Sequence, residues 1–124
     1  MNRILFAGLS SGSGKTAVTC ACLRALQKKG ISAASFKCGP DYIDPMFHQR
    51  VLGIPGENLD LFFADAKTLQ RQIACYEQWC KIAVLEGVMG YYDGLGGVSD
   101  RDSTWDVACA TNTPVILVVR PKGA

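Results

Sequence analysis

The sequence predicts an α/β fold, a parallel sheet covered by helices on both faces. Three observations lead to it. Apolar runs of strand length alternate with helix-length segments along the chain. A glycine-rich turn, Gly8-Leu9-Ser10-Ser11-Gly12-Ser13-Gly14-Lys15-Thr16, joins the first strand to the first helix. Charged residues fall at the carboxyl ends of apolar strands, where open parallel sheets bind their ligands.

Ile4-Leu5-Phe6-Ala7 forms the first strand. The first helix is predicted over 14–29. Its first two-thirds is apolar nearly all round (Ala17, Val18, Cys20, Ala21, Cys22, Leu23, Ala25, Leu26), which suits a helix packed on a sheet. Lys28 and Lys29 complement its C-terminal dipole, and Gly30 is its natural cap. Residues 31–38 read as the second strand, and strand–helix–strand makes a parallel βαβ unit. Gly39-Pro40 ends that strand, and Asp41-Tyr42-Ile43-Asp44-Pro45 follows as a proline-stiffened loop.

A short helix is predicted over 46–52, ending at Gly53, with loop over Pro55-Gly56 and Asn58-Leu59-Asp60. Asp65 caps a helix through about residue 79, with Leu69, Ile73, Tyr76 and Cys80 as a half-buried stripe. Residues 81–86 form the third strand, apolar until it meets Glu86. Residues 87–102 make a long loop with five glycines, a length that is often functional. Ser103 to Thr111 is a short helix capped by Asp102 or Ser103. Val115-Ile116-Leu117-Val118-Val119 is a fourth buried strand. So apolar a strand calls for a following helix, so the chain reads as the N-terminal piece of a longer protein, with its sheet incomplete at the C-terminus.

With 124 residues, 48% of them apolar, the chain can bury one core and is not disordered. Thirteen basic and eleven acidic residues give a net charge of +2, too balanced for a nucleic-acid or membrane-surface protein. No apolar run reaches the ~20 residues of a membrane span, and no signal-peptide pattern follows the N-terminal strand. The six cysteines form no C-x-x-C pair, and the single histidine, His48, gives little support for a zinc site. Reduced, mostly buried thiols in a cytoplasmic protein are expected.

Strand, glycine-rich turn and helix with Lys-Thr at the helix start form a phosphate-binding loop. Glycines let successive backbone N–H groups turn inward, and the helix N-terminus adds partial positive charge. Such a loop binds a nucleoside triphosphate, with Lys15 reaching the outer phosphates and the Thr16 hydroxyl on Mg²⁺. Five residues, rather than the usual four, separate Gly8 from the Gly14-Lys15 pair.

Further candidates lie at the other strand ends. Glu86 stands where a second metal carboxylate belongs, with Gly87 beside it for close backbone access; the alternative is a solvated strand-end glutamate. Lys37 can stabilise a transferring phosphoryl group, or it is a surface lysine on an edge strand. Asp41 and Asp44 can ligate Mg²⁺ or contact substrate, or serve turn chemistry only. His48 reads as structural or surface-exposed. Cys38 lies ten residues from it, but no nucleophile elbow surrounds it. Tyr91-Tyr92 can stack on a ring or pack beneath the loop, and Asp100-Arg101-Asp102 is a solvated charge cluster.

Residues 8–16 (GLSSGSGKT), 36–48 (FKCGPDYIDPMFH), 58–63 (NLDLFF), 86–94 (EGVMGYYDG) and 103–108 (STWDVA) together resemble the cobyrinic acid a,c-diamide synthase family. Order and spacing match over the whole chain, and the longer phosphate-loop spacing is shared with that family and with dethiobiotin synthetases. The resemblance implies a phosphate-loop NTPase-like, dethiobiotin synthetase-like domain, followed in the family by a glutamine amidotransferase domain absent from this chain. It implies ATP- and glutamine-dependent amidation of the a and c acetates of cobyrinic or hydrogenobyrinic acid through acyl phosphates, in cobalamin biosynthesis. ATP and Mg²⁺ are the implied cofactors, with Gly12, Ser13, Gly14, Lys15 and Thr16 on the ATP phosphates, Thr16, Asp41 and Glu86 around the metal, Lys37 at the γ-phosphoryl, and Tyr42, Asp44, Asp93 and Ser103 facing the corrinoid. The corrinoid and glutamine or ammonia are the partners, and a homodimer is compatible.

Cys38 replaces a usual valine and Trp105 a commonly small residue. This length by itself is expected to be inactive. Three other functions fit parts of the pattern. A dethiobiotin synthetase-like ligase is disfavoured by GPDYIDP. A nickel-tetrapyrrole a,c-diamide synthase shares the motifs. A partitioning-type ATPase would carry an extra lysine where Leu9-Ser10-Ser11 stands.

Overall fold

A computed structural model of the chain describes residues 1–9, 14–39, 48–61, 64–88 and 103–121. Five strands form one sheet: β1 (Asn2–Gly8), β2 (Ala33–Cys38), β3 (Gly56–Leu59), β4 (Ile82–Glu86) and β5 (Val115–Val118). Their order across the sheet is β3-β2-β4-β1-β5, with every pairing parallel. The helices are α1 (Lys15–Lys28), α2 (Ala66–Ala74) and α3 (Thr104–Ala110), with a π-helical segment over His48–Leu52.

The strands alternate side chains between two cores. Leu5, Ala7, Ala34, Phe36, Ala83 and Leu85 pack with Leu69 and Ile73 of α2 and with Val107 and Ala108 of α3. Phe6, Ala33 and Val84 pack with Leu23 of α1, with Ile54, and with Leu52 of the π-helical segment. Helices therefore cover both faces, as predicted. The connection leaving β1 runs toward β2 by way of α1. The one leaving β4 runs toward β5 by way of α3, on the other face. The connections from adjacent strands β1 and β4 thus lead in opposite directions across the sheet, which marks the switch point where such sheets bind ligands.

Several boundaries differ from the sequence reading. The stretch read as loop after Pro55 contains β3, a four-residue edge strand paired with β2 from Ser35↔Gly56 to Cys38↔Leu59. Only Leu59 of it is buried, so it carries no alternation to announce it. Gly56 passes so close that a Cβ there would lie 1.7 Å from the Ser35 carbonyl oxygen. β2 is consequently an interior strand. Helix α2 ends at Ala74, and its apolar stripe continues through turns in which Tyr76, Glu77 and Trp79 donate to carbonyls three residues back. Those turns keep Tyr76 edge-on to Phe36, ring centroids 5.4 Å apart, and bury Cys80.

Helix α1 is less enclosed than its composition suggested: Ala17, Val18, Ala21 and Ala25 are exposed, while Lys15, Thr19 and Leu23 are buried. Gly30, at φ +73, lets Ile31 donate back to Leu26 and closes the helix. Strand β5, expected to be buried, lies at the sheet edge with Ile116, Leu117 and the following Val119 exposed. No disulfide joins the six cysteines, of which Cys38 and Cys80 are buried and Cys75 and Cys109 exposed. No helix among the described residues is long and apolar enough to cross a membrane.

Candidate functional site

Gly14 precedes α1 in the left-handed region, φ +96, a conformation that costs glycine nothing. Its carbonyl accepts the Val18 amide, so the helix begins at Lys15. Lys15 is buried although it carries a charge, and Thr16 stands beside it facing the end of β4. No acidic side chain occupies the first turn of α1, which leaves its N-terminus favourable to an anion.

The sheet register supplies the other half of the site. Lys37 pairs with Glu86, and Glu86 with Phe6, so the ends of β2, β4 and β1 lie side by side. The Thr16 hydroxyl donates to Glu86 Oε2 over 3.1 Å, and Lys37 Nζ donates to the same oxygen in an ion pair. Glu86 is 1% exposed and Lys37 6%. Two charges this buried persist only if paired, because desolvation of either alone costs several kcal/mol. Glu86 Oε1 is buried and has no hydrogen-bond partner among the described residues. An orphaned carboxylate oxygen of that kind calls for an explanation, and a hard cation or its water is a suitable occupant.

Thr16 from the start of α1, Lys37 from the end of β2 and Glu86 from the end of β4 thus meet at one carboxylate oxygen, and Lys15 is buried beside Thr16. The two alternatives, a solvated Glu86 and an edge-strand Lys37, are both excluded by burial. Gly87 has a different role from the one expected. A Cβ there would meet Thr104 Cγ2 at 2.5 Å, so its bareness admits the first residue of α3 rather than a ligand. Thr104 Oγ1 accepts from Val88 N at 3.1 Å and donates to Val88 O at 3.2 Å, which clips α3 to the end of β4. Ser103 caps α3, its Oγ accepting the Asp106 amide at 3.2 Å. Gly12, Ser13, Asp41, Tyr42, Asp44, Tyr91, Tyr92, Asp93, Asp100, Arg101 and Asp102 lie outside the described residues.

Cys38 turns away from this site into the core shared with α2 and α3. Burial pushes its thiol up to about 12, with the charge of Lys37 pulling weakly the other way. It is a packing residue and forms no dyad with His48. His48 is itself buried, not at the surface. Its Nδ1 lies 2.6 Å from Ser35 Oγ, and its Nε2 lies 3.5 Å from Cys20 Sγ. Sequence reasoning passed over Ser35, Cys20 and Thr104, because each gains its role only from an element distant in the chain.

Residues 4–96 match the family described as the CobQ/CobB/MinD/ParA nucleotide binding domain. The chain belongs to that family. This CobQ/CobB/MinD/ParA domain is also similar, nearly end to end, to curated proteins named cobyrinate a,c-diamide synthase. Identity is 47% over 123 residues with the one from Listeria monocytogenes serovar 1/2a, covering 98% of this chain and 27% of that protein. It is 46% over 124 residues with that of Gloeobacter violaceus, covering 98% and 27%. With that of Thermoplasma volcanium it is 44% over 121 residues, covering 98% and 26%. The chain therefore spans about a quarter of the length of these relatives, whose shared name is the one its motifs pointed to.

Proposed function

We propose that this chain supplies the ATP and Mg²⁺ site of an ATP- and glutamine-dependent enzyme. That enzyme amidates the a and c acetate carboxylates of cobyrinic or hydrogenobyrinic acid in cobalamin biosynthesis. The observation that carries the reading is the meeting of Thr16, Lys37 and the half-satisfied Glu86 at the β1/β4 switch point. The relatives' common name supports the substrate class.

In this reading Gly12 to Lys15 cradle the phosphates, and Lys15 neutralises the outer ones. The Thr16 hydroxyl and Glu86, with Asp41, are the oxygen donors for Mg²⁺, a ligand set that suits a hard cation. Bound there, the cation neutralises phosphate charge and orients the leaving group. Lys37 stabilises the γ-phosphoryl as a substrate carboxylate oxygen attacks phosphorus and the bond to ADP breaks. Ammonia then attacks the acyl carbon and phosphate departs. A carboxylate is a poor electrophile, and phosphorylation gives it a leaving group. The chain's own work is to hold two anions together and offset their repulsion. Tyr42, Asp44 and Asp93 face the corrinoid, whereas Ser103 is buried with its hydroxyl on the cap of α3 and serves the site only by holding that helix. Residues 1–124 form the N-terminal part of the synthetase domain, and glutamine hydrolysis belongs to a separate domain of the longer protein. A cytoplasmic setting is supported by six cysteines that form no disulfide.

The test is amidation by the longer protein, assayed on cobyrinic acid and on a nickel tetrapyrrole, with glutamine and with free ammonia. Lys15→Ala and Glu86→Gln are each expected to lower ATP-dependent amidation about a hundredfold or more. Either variant retaining full activity removes the site assignment. Turnover of the nickel tetrapyrrole alone reassigns the substrate.

A further inference from the structure

His48 is 2% exposed and lies between two elements of the site. The imidazole bridges two elements that each carry part of the phosphate site. Its Nε2 meets Cys20 Sγ on α1 at 3.5 Å, and its Nδ1 meets Ser35 Oγ on β2 at 2.6 Å. Cys20 is one helical turn beyond Thr16, so both project toward the same side of α1. Ser35 is two residues before Lys37, so both project from the same face of β2. A neutral imidazole can satisfy both contacts at once, donating through one ring nitrogen and accepting through the other. The residue is also held by its backbone: its carbonyl accepts the Ile54 amide at 3.1 Å, and the next carbonyl, of Gln49, accepts that of Gly53.

The helix and the strand touch the site independently. Thr16 rides on α1 and Lys37 on β2, and both meet at one Glu86 oxygen. Their convergence depends on the spacing between α1 and β2, which a rigid planar ring bonded at both ends maintains. We infer that His48 is a positioning residue. It holds α1 and β2 at the separation that lets the Thr16 end of the helix and the Lys37 ammonium act on one terminal phosphate. This rests on the nucleotide site proposed above but not on the corrinoid reading.

The experiment compares Mg·ATP and Mg·ADP affinities by calorimetry in the longer protein that contains this chain. Lys37 is aimed at the terminal phosphate, whereas the start of α1 serves both nucleotides. Loss of the spacer should therefore weaken Mg·ATP about tenfold, roughly the worth of one charge-assisted hydrogen bond. Mg·ADP affinity should stay within about twofold. His48→Ala is the first variant. His48→Asn, which keeps a polar atom near Ser35, should recover most of the discrimination. Cys20→Ala and Ser35→Ala each cut one end of the bridge and should show the same selectivity in smaller measure, even if His48→Ala does not fold. A merely structural role would weaken both nucleotides together or neither, and either result overturns the inference while leaving the nucleotide site standing. Wild-type protein that binds neither nucleotide overturns the site and this inference with it.

Discussion

Where β2 and β4 end side by side, Glu86 and Lys37 are almost wholly enclosed. In and just beyond β5, Ile116, Leu117 and Val119 are 46%, 49% and 56% exposed. Side-chain type alone would have put these groups the other way round. The difference comes from position in the sheet. Residues at the ends of β2 and β4 are flanked by strands on both sides and roofed by the start of α1, so even a charged side chain is enclosed and must find a partner. β5 has a single neighbour, β1, and among the described residues its apolar side chains are only partly covered. Burying a charged pair costs stability, and exposing an apolar edge invites association. The centre carries its cost beside the N-terminus of α1, where Thr16 and Lys37 share one oxygen of Glu86.

The strongest way to break this comparison is to remove one member of the central pair. Lys37→Met should destabilise the protein by about 3–5 kcal/mol, because Glu86 is left buried and uncompensated. Urea unfolding measures it, and adding Glu86→Leu to the same chain should restore much of the loss. If the single variant cost under about 1 kcal/mol, the pair would be far better solvated than its burial indicates.

Next in size is the clip between β4 and α3. Gly87→Ala should cost about 1–3 kcal/mol through its clash with Thr104. Thr104→Ser, which removes the methyl at 2.5 Å, should relieve part of that cost in the double variant. Simple additivity in thermal unfolding would show that the two residues do not collide.

At the edge the effect should be smaller. Ile116→Lys is expected to change stability by no more than about 0.5 kcal/mol, while lowering apolar-dye binding and concentration-dependent association of the chain. A large loss would mean that the strand is covered in solution.

The smallest effect concerns a charge that is neither buried nor at the site. Asp65 caps α2, and its hydrogen bonding to Thr68 holds its carboxyl below the usual carboxylate range. A group depressed in the folded state stabilises it above the unfolded value of about 4, and that contribution fades as pH falls through the folded value. The melting-temperature gap between wild type and Asp65→Ala should therefore be open at neutral pH and close in acid. A gap of constant size from neutral to strongly acidic pH would show that the carboxylate's charge contributes nothing.

Much of this was legible because it is local. Glycine spacing and a Lys-Thr pair at a helix start announce a nucleotide-binding domain, the description of the family the chain matches. Leu69 and Ile73 mark the buried stripe of α2 by their period. Glu86 is conspicuous as the one carboxylate at the end of an otherwise apolar strand. Other features were not legible for equally physical reasons. β3 has too few buried residues to show a period, and it exists because β2 offers it a backbone to pair with. Gly87 looked like an opening for a ligand, since no sequence pattern reveals that Thr104 arrives at its α-carbon. His48 looked unremarkable because neither Ser35 nor Cys20 is near it in the chain.

The sequence by itself therefore determined the class of sheet, the nucleotide-binding family of the domain and the kinds of groups gathered at the strand ends. These depend on side-chain period, glycine freedom and the direction of parallel strands. Only the tertiary structure decided that Lys37 and Thr16 share one oxygen of Glu86, that the other oxygen has no partner among the described residues, and that His48 spans α1 and β2. Those contacts follow from strand register and helix placement, and register is settled by which faces must be buried against which, a property of the packed sheet as a whole.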